Sequence, residues 1–114
     1  METNFLDIIR TRRSCRSYKQ QQITDEQLNV VLEAGTYAPT SRGLQSPFIV
    51  AVQNKDLLKQ LAEMNAEVMG TTTNPYYDAP TYILVFVPDG FANGVYDAAL
   101  VLENMMLAAH AQGL

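Results

Sequence analysis

Hydrophobic side chains near the start of the chain recur with the spacing of a helix. Asn4, a residue type that caps helix starts, precedes Phe5, Ile8 and Ile9, which share one helical face. Residues 17–23 contain three glutamines and show no such period. The pattern predicts a short first helix, then a basic stretch, then an extended connector.

A second helix is predicted to begin at Thr24, because Thr24 and Gln27 have the spacing of a capping box. It should stop at Ala38, since the residue before a proline disfavours helical conformation. Its inner face is expected to hold Leu28, Val31, Leu32 and Gly35.

Two short apolar runs, residues 48–53 and 81–87, are typical of strands, and the first suits a strand covered on both faces. Asn54 is predicted to cap a third helix that ends near Met69, before Gly70. The core-facing stripe of this helix is expected to comprise Leu57, Leu58, Leu61, Met64 and Val68.

A last helix, residues 94–112, is apolar nearly all round, which indicates a buried central helix or one shared between subunits. Its Asp97 and Glu103 are interpreted as a helix-start charge and a polar contact rather than as catalysts. Four helices and two strands indicate an α+β domain covering residues 1–114.

Composition excludes several classes of protein. Nearly half of the 114 residues are hydrophobic, so the chain should fold, and its apolar runs are shorter than the roughly 20 residues of a membrane span. We therefore expect no membrane insertion and a cytoplasmic location. One cysteine, Cys15, and one histidine, His110, leave no disulfide and no zinc-type ligand cluster.

Positive charge is concentrated in one segment of a chain whose net charge is −4. In an extended backbone Arg12, Ser14 and Arg16 would share a face and could bind an anion such as a phosphate. In a helix Ser14 would lie on the far side, and the cations would instead complement the helix dipole. Nucleic-acid binding is disfavoured, because one basic turn provides no broad positive face. This basic segment, residues 10–19, holds five of the eight cationic residues: Arg10, Arg12, Arg13, Arg16 and Lys19.

The loop at residues 38–47 is rich in proline, glycine and hydroxyl residues. Its hydroxyls, backbone N–H groups and the Gln45 amide could contact the edge of a planar heterocycle, although the same residues also make ordinary turns. In the later polar loop, Tyr76 and Tyr77 could form a lid, but anchoring of the loop is the favoured interpretation.

In this order, the motifs resemble the N-terminal two-thirds of nitroreductase-family flavoproteins. The resemblance rests on Arg12-Arg-Ser-Cys-Arg16, Leu32-Glu-Ala-Gly-Thr-Tyr-Ala-Pro-Thr-Ser41, Gln45-Ser-Pro47, Tyr77-Asp-Ala-Pro80 and residues 97–114. It implies a three-layer αβα sandwich, incomplete in this chain. It also implies FMN at a homodimer interface, and hydride transfer from NAD(P)H to nitroaromatics, quinones or similar small acceptors.

Carried over by position, the resemblance assigns cofactor contacts but no catalytic side chain and no metal ligand. Arg12, Ser14 and Arg16 would hold the FMN phosphate and ribityl chain, with Arg13 beside them. The remaining contacts would come from Pro39, Thr40 and Ser41 of the partner subunit, from Gly43 and Gln45 near the ring, and from Asn74. Relatives often have Asn at the position of Gly43, so the resemblance implies one side-chain contact fewer here.

The family continues with a Gly-rich segment, further strands and a C-terminal basic residue, none of which this sequence contains. We therefore expect the intact protein to be longer. The alternative function is a flavin-binding or interaction module of the same fold without turnover.

Overall fold

The structure, a computed structural model, describes residues 4–114. Within that range every predicted helix and strand is present, with ends at most two residues from those predicted. The elements are α1 (Phe5–Thr11), α2 (Asp25–Thr36), a 3₁₀ turn (Ser41–Gly43), β1 (Phe48–Val52), α3 (Lys55–Met69), β2 (Tyr82–Phe86) and α4 (Gly94–Ala111).

The predicted caps form. Asn4 Oδ1 accepts from the Leu6 N–H at 2.8 Å, which fixes the start of α1. At α2, Thr24 Oγ1 accepts from Gln27 N at 3.1 Å and Gln27 Oε1 accepts from Thr24 N at 2.9 Å, a complete capping box. α3 ends at Met69, and the following Gly70 has a φ of 70°, the left-handed conformation that stops a helix.

The chain divides into two compact units. The helical unit comprises the chain up to Arg13, Ile23–Ile49 and Val85–Leu114, and the α3 unit comprises Ser14–Gln22 and Val50–Leu84. Both strands contribute residues to each unit.

In the helical unit α2 packs on α4 through a very close approach at Gly35. A Cβ atom at Gly35 would lie 2.8 Å from Ile49 Cδ1 and 2.9 Å from Met105 Cγ, so the contact depends on the absence of a side chain. Val31 is buried on α2 as predicted, and Val101 is buried on α4.

Fewer apolar side chains of α1 and α4 are buried than the sequence predicts. Of the first stripe Ile8 alone is buried, whereas Phe5 and Ile9 are exposed. α4 buries one face, at Gly94, Asp97, Val101 and Met105, while its other apolar side chains remain half-buried or exposed. Burial of α4 on all sides is therefore not achieved within the described chain.

The α3 unit has a small core in which Leu58 and Ala62 of α3 pack with Val52 and Tyr82 of the strands. The predicted stripe of α3 was wrong in part. Leu58 is buried, and Leu61 packs against the core. Leu57, Met64 and Val68 are exposed, Val68 at 86%. The buried face includes Ala62 and Ala66, because small residues let the helix approach closely.

β1 and β2 pair in a two-stranded sheet. The Phe48 and Phe86 rings stack with centroids 5.2 Å apart, and Gln53 Nε2 donates to Thr81 Oγ1 at 3.0 Å. The start of each strand thus lies opposite the end of the other, which is antiparallel pairing. Phe48 is exposed, so β1 is not covered on both faces as predicted. No helix of the described residues is long and apolar enough to cross a bilayer.

Candidate functional site

The basic segment begins where α1 ends. α1 stops at Thr11, and Arg12 has φ −58° and ψ 137°, which is outside the helical region. Residues 12–19 form neither helix nor strand. The helical alternative for Arg12, Ser14 and Arg16 is therefore wrong. Among the cations of the basic segment, Arg10 lies in the last turn of α1, where it complements the dipole.

Arg12 and Arg13 are held at the end of α1. The Arg12 side chain is 30% exposed, and its Nε lies 3.7 Å from Glu103 Oε1 on α4. Arg13 donates from one terminal nitrogen to the backbone oxygens of Arg10 at 2.8 Å and Arg12 at 2.9 Å. Arg13 thus satisfies carbonyls that the helix end leaves without an intrahelical partner.

The other two residues assigned to the phosphate, Ser14 and Arg16, belong to the α3 unit and are both exposed. Further along, the Tyr18 hydroxyl donates to the Cys15 carbonyl at 3.0 Å. Burial, reinforced by Cys15, raises the pKa of Tyr18 above its usual value. The basic segment thus presents two exposed groups to a ligand, the Ser14 hydroxyl and the Arg16 guanidinium.

The 38–47 loop is more organised than an ordinary turn. Arg42 and Gln45 have φ of 56° and 50°, a left-handed conformation that costs a non-glycine residue about 1–2 kcal/mol. Thr40 Oγ1 accepts from Gln45 N at 2.9 Å and closes the loop. Such strain persists only where surrounding contacts fix the backbone, and it occurs preferentially at functional sites.

A cavity of about 580 Å³ opens beside this loop in the helical unit. Thr40 and Gln45 lie on its polar side, and Ile49 and Val101 contribute to its apolar wall. Pro39 and Gly43 are exposed. A mixed cavity of this kind suits a ligand with an aromatic face and hydrogen-bonding edges.

Asn74, in the α3 unit, fixes its own loop. Its Oδ1 accepts from Tyr76 N at 2.8 Å, and its Nδ2 donates to Asp78 Oδ1 at 2.8 Å. The Tyr76 ring stacks on Tyr82 with centroids 4.0 Å apart, so this tyrosine anchors the loop as favoured from sequence. The role of Asn74 toward a flavin stays a prediction.

Sequence reasoning missed the contact that Asp97 makes with the 38–47 loop. Asp97 is 2% exposed, and its Oδ1 accepts from both the N–H and the hydroxyl of Ser41, at 3.0 and 3.1 Å. It is thus a partner of the 38–47 loop as well as a charge in the first turn of the helix. Glu103 makes the polar contact expected of it, to Arg12.

The same helix holds the ends of α1 and α2. The Thr11 hydroxyl donates to the Asp7 carbonyl at 2.6 Å, so it accepts from His110 Nε2 at 2.7 Å. Asn104 Nδ2 donates to the Ala34 carbonyl at 3.0 Å. One feature of the sequence could have indicated these contacts, namely four polar residues in an otherwise apolar helix: Asp97, Glu103, Asn104 and His110.

The structure therefore groups the predicted residues in three places. One loop of the helical unit holds Thr40, Ser41 and Gln45. Thr40 and Gln45 are joined by a hydrogen bond, and Ser41 is bonded to Asp97. The end of α1 holds Arg12 and Arg13. Ser14, Arg16 and Asn74 belong to the α3 unit. Among residues 4–114 no cluster of His, Cys, Asp and Glu could bind a metal ion.

Comparison with known proteins identifies relatives of this chain. Residues 9–82 match the Nitroreductase family. The chain is 30% identical over 130 residues to the NADPH-dependent oxidoreductase of Staphylococcus haemolyticus, covering 94% of this chain and 49% of that protein.

Solved structures agree with the sequence match. A nitroreductase with bound FMN from Bacteroides fragilis superposes with a TM-score of 0.91 at 32% identity, over 98% of this chain and 67% of that one. One from Desulfitobacterium hafniense, also with bound FMN, gives 0.86 at 27% identity, over 99% and 68%.

The fold is the α+β fold of the nitroreductases. The chain belongs to the nitroreductase family. It spans about half the length of the Staphylococcus haemolyticus relative.

Proposed function

We propose that this chain is the FMN-binding part of an oxidoreductase that uses NAD(P)H to reduce nitroaromatics, quinones or similar small acceptors. The proposal is supported by family membership and by similar structures that contain FMN. The choice of NAD(P)H as the electron donor is supported by a relative whose name states NADPH dependence.

The observation that carries the proposal is that the basic segment continues beyond the end of α1 as non-helical chain. Because the helix ends at Thr11, Ser14 and Arg16 lie in non-helical chain and are exposed. A hydroxyl and a guanidinium are the donors that a phosphate monoester prefers. The donor set therefore fits the phosphate end of FMN.

In the proposed complex Arg12, Ser14 and Arg16 bind the phosphate and ribityl chain, with Arg13 beside them. Arg13 contributes by keeping the end of α1 in place, since its bonds to two backbone carbonyls fix that turn. Glu103 orients Arg12. Asn74, a further flavin contact in the proposal, shapes the loop that precedes β2.

The 38–47 loop is proposed to contact the ring system. Gly43 and Gln45 would lie near its edge, and Pro39, Thr40 and Ser41 would approach from a second copy of the chain. When bound, FMN would supply the redox chemistry, which is hydride transfer from NAD(P)H to the acceptor by way of flavin N5. The protein needs no catalytic acid or base for that transfer; it binds, orients and shields the cofactor.

We further propose a homodimer that covers α4. Val95, Leu102 and Met106 are apolar and exposed, and they recur at helical spacing on one side of α4. An exposed apolar stripe of this kind is typical of a subunit contact.

Absorption spectroscopy of the intact protein tests the function. We expect a flavin band at about 450 nm that NADH or NADPH bleaches without oxygen and that nitroaromatic or quinone restores. A flavin band that neither nucleotide changes would support the silent binding module instead. A colourless protein that also fails to take up added FMN would refute the proposal.

A further inference from the structure

The 38–47 loop contains two residues in a backbone conformation that usually requires glycine. Arg42 and Gln45 both have left-handed φ values, of 56° and 50°, which side chains other than glycine disfavour. Thr40 bonds Gln45 within the loop. This internal bond closes the loop but does not attach its first turn to the rest of the unit.

Asp97 supplies that attachment. Its Oδ1 accepts from the N–H of Ser41 at 3.0 Å and from the Ser41 hydroxyl at 3.1 Å, and Ser41 is the first residue of the 3₁₀ turn that contains Arg42. The carboxylate is carried by the first turn of α4, a regular helix. A single oxygen on a regular helix thus accepts two hydrogen bonds from one loop residue, Ser41.

The second oxygen of Asp97 makes no such bond. Oδ2 is buried and has no hydrogen-bond partner among the described residues. A buried acceptor without a donor is destabilising, and an apolar residue would avoid that cost. What the carboxylate provides is a fixed double acceptor at Ser41.

We propose that Asp97 is a positioning residue, which holds the turn Ser41–Gly43 in the conformation that the flavin site uses. This inference rests on the proposed function in one respect, namely that the 38–47 loop contacts the flavin. The positioning itself is a property of the protein without ligand.

Trypsin tests the positioning in flavin-free intact protein, because Arg42 is exposed and lies inside the turn. Cleavage of a transiently opened segment follows the population of the open state. In Asp97→Ala we expect cleavage after Arg42 to accelerate by about 100-fold or more, since two hydrogen bonds to a charged acceptor are lost and each corresponds to a factor of about ten or more. Cleavage after Lys59, inside α3, should keep its parental rate and reports global unfolding.

Three further variants make the test specific. Asp97→Asn keeps an acceptor oxygen and should restore most of the protection at Arg42. Ser41→Ala removes one of the two donors and should accelerate cleavage by about tenfold. This variant decides the question if Asp97→Ala does not fold. Asp89→Asn, at an exposed acid in the loop before α4, should change nothing.

Equal rates at Arg42 in Asp97→Ala, Ser41→Ala and parent would overturn the inference. So would acceleration at Arg42 and Lys59 in parallel in both variants, because that pattern is global destabilisation. FMN titration of the same proteins separates the two proposals. An accelerated Arg42 site with at least tenfold weaker FMN binding in Asp97→Ala supports both. An accelerated site in a protein whose parent binds no FMN keeps the positioning and refutes the proposed function.

Discussion

Replacing Arg16 with alanine tests the phosphate assignment with little risk to the fold. Arg16 is exposed, lies beyond the end of α1 and belongs to a stretch without helix or strand. Surface substitutions of this kind usually change stability by no more than about 0.5 kcal/mol. A change in flavin binding would therefore report the loss of a ligand contact.

The expected magnitude follows from the chemistry of the contact. A hydrogen bond to a charged group contributes about 1.5–3 kcal/mol, which corresponds to a loss of FMN affinity of about 10- to 150-fold. The assay is titration of flavin-free intact protein with FMN, followed by quenching of flavin fluorescence. Lys19→Ala is the matched control, because Lys19 is an exposed cation of the same basic segment with no predicted phosphate contact.

Riboflavin sharpens the assay, since it lacks the phosphate. Arg16→Ala should bind riboflavin as tightly as the parent does, so the riboflavin affinity of the variant divided by that of the parent should be close to one. Equal FMN affinity in Arg16→Ala and parent would refute the assignment. An equal loss in Lys19→Ala would show that general charge, rather than Arg16 itself, attracts the ligand.

Two other predictions concern the elements that position the site. Thr24→Ala removes the capping box of α2 and should lower the free energy of unfolding by about 1 kcal/mol in urea denaturation, with Thr72→Ala, an exposed threonine, as the unchanged control. His110→Ala removes the donor to Thr11 and should cost about 0.5–1.5 kcal/mol in the same assay; an unfolding midpoint equal to that of the parent would show that this bond does not stabilise the end of α1.

The features that sequence predicted well are those determined by neighbouring residues. The caps at Asn4 and Thr24 and the stop at Gly70 involve side chains within a few positions of the backbone groups they satisfy. For Arg16 the sequence left the extended and the helical alternatives open, and the structure shows the non-helical one.

Features that depend on distant contacts were missed. The inward face of α3 uses Ala62 and Ala66, which weigh little in a hydrophobic stripe, so the larger but exposed Met64 and Val68 were assigned to the core. The left-handed Arg42 could not be foreseen, because Asp97, which holds the turn, lies far along the chain. For the same reason Asp97 was interpreted only as a helix-start charge.

The contact at Gly35 limits how this part of the protein can change. Any side chain there would compete with Met105 for space that Met105 already fills. An alanine at position 35 would need room from Met105 and also from Ile49, whose Cδ1 would lie 2.8 Å from the new Cβ. Evolution and protein engineering alike must therefore change the volumes of these three neighbours in coordinated steps.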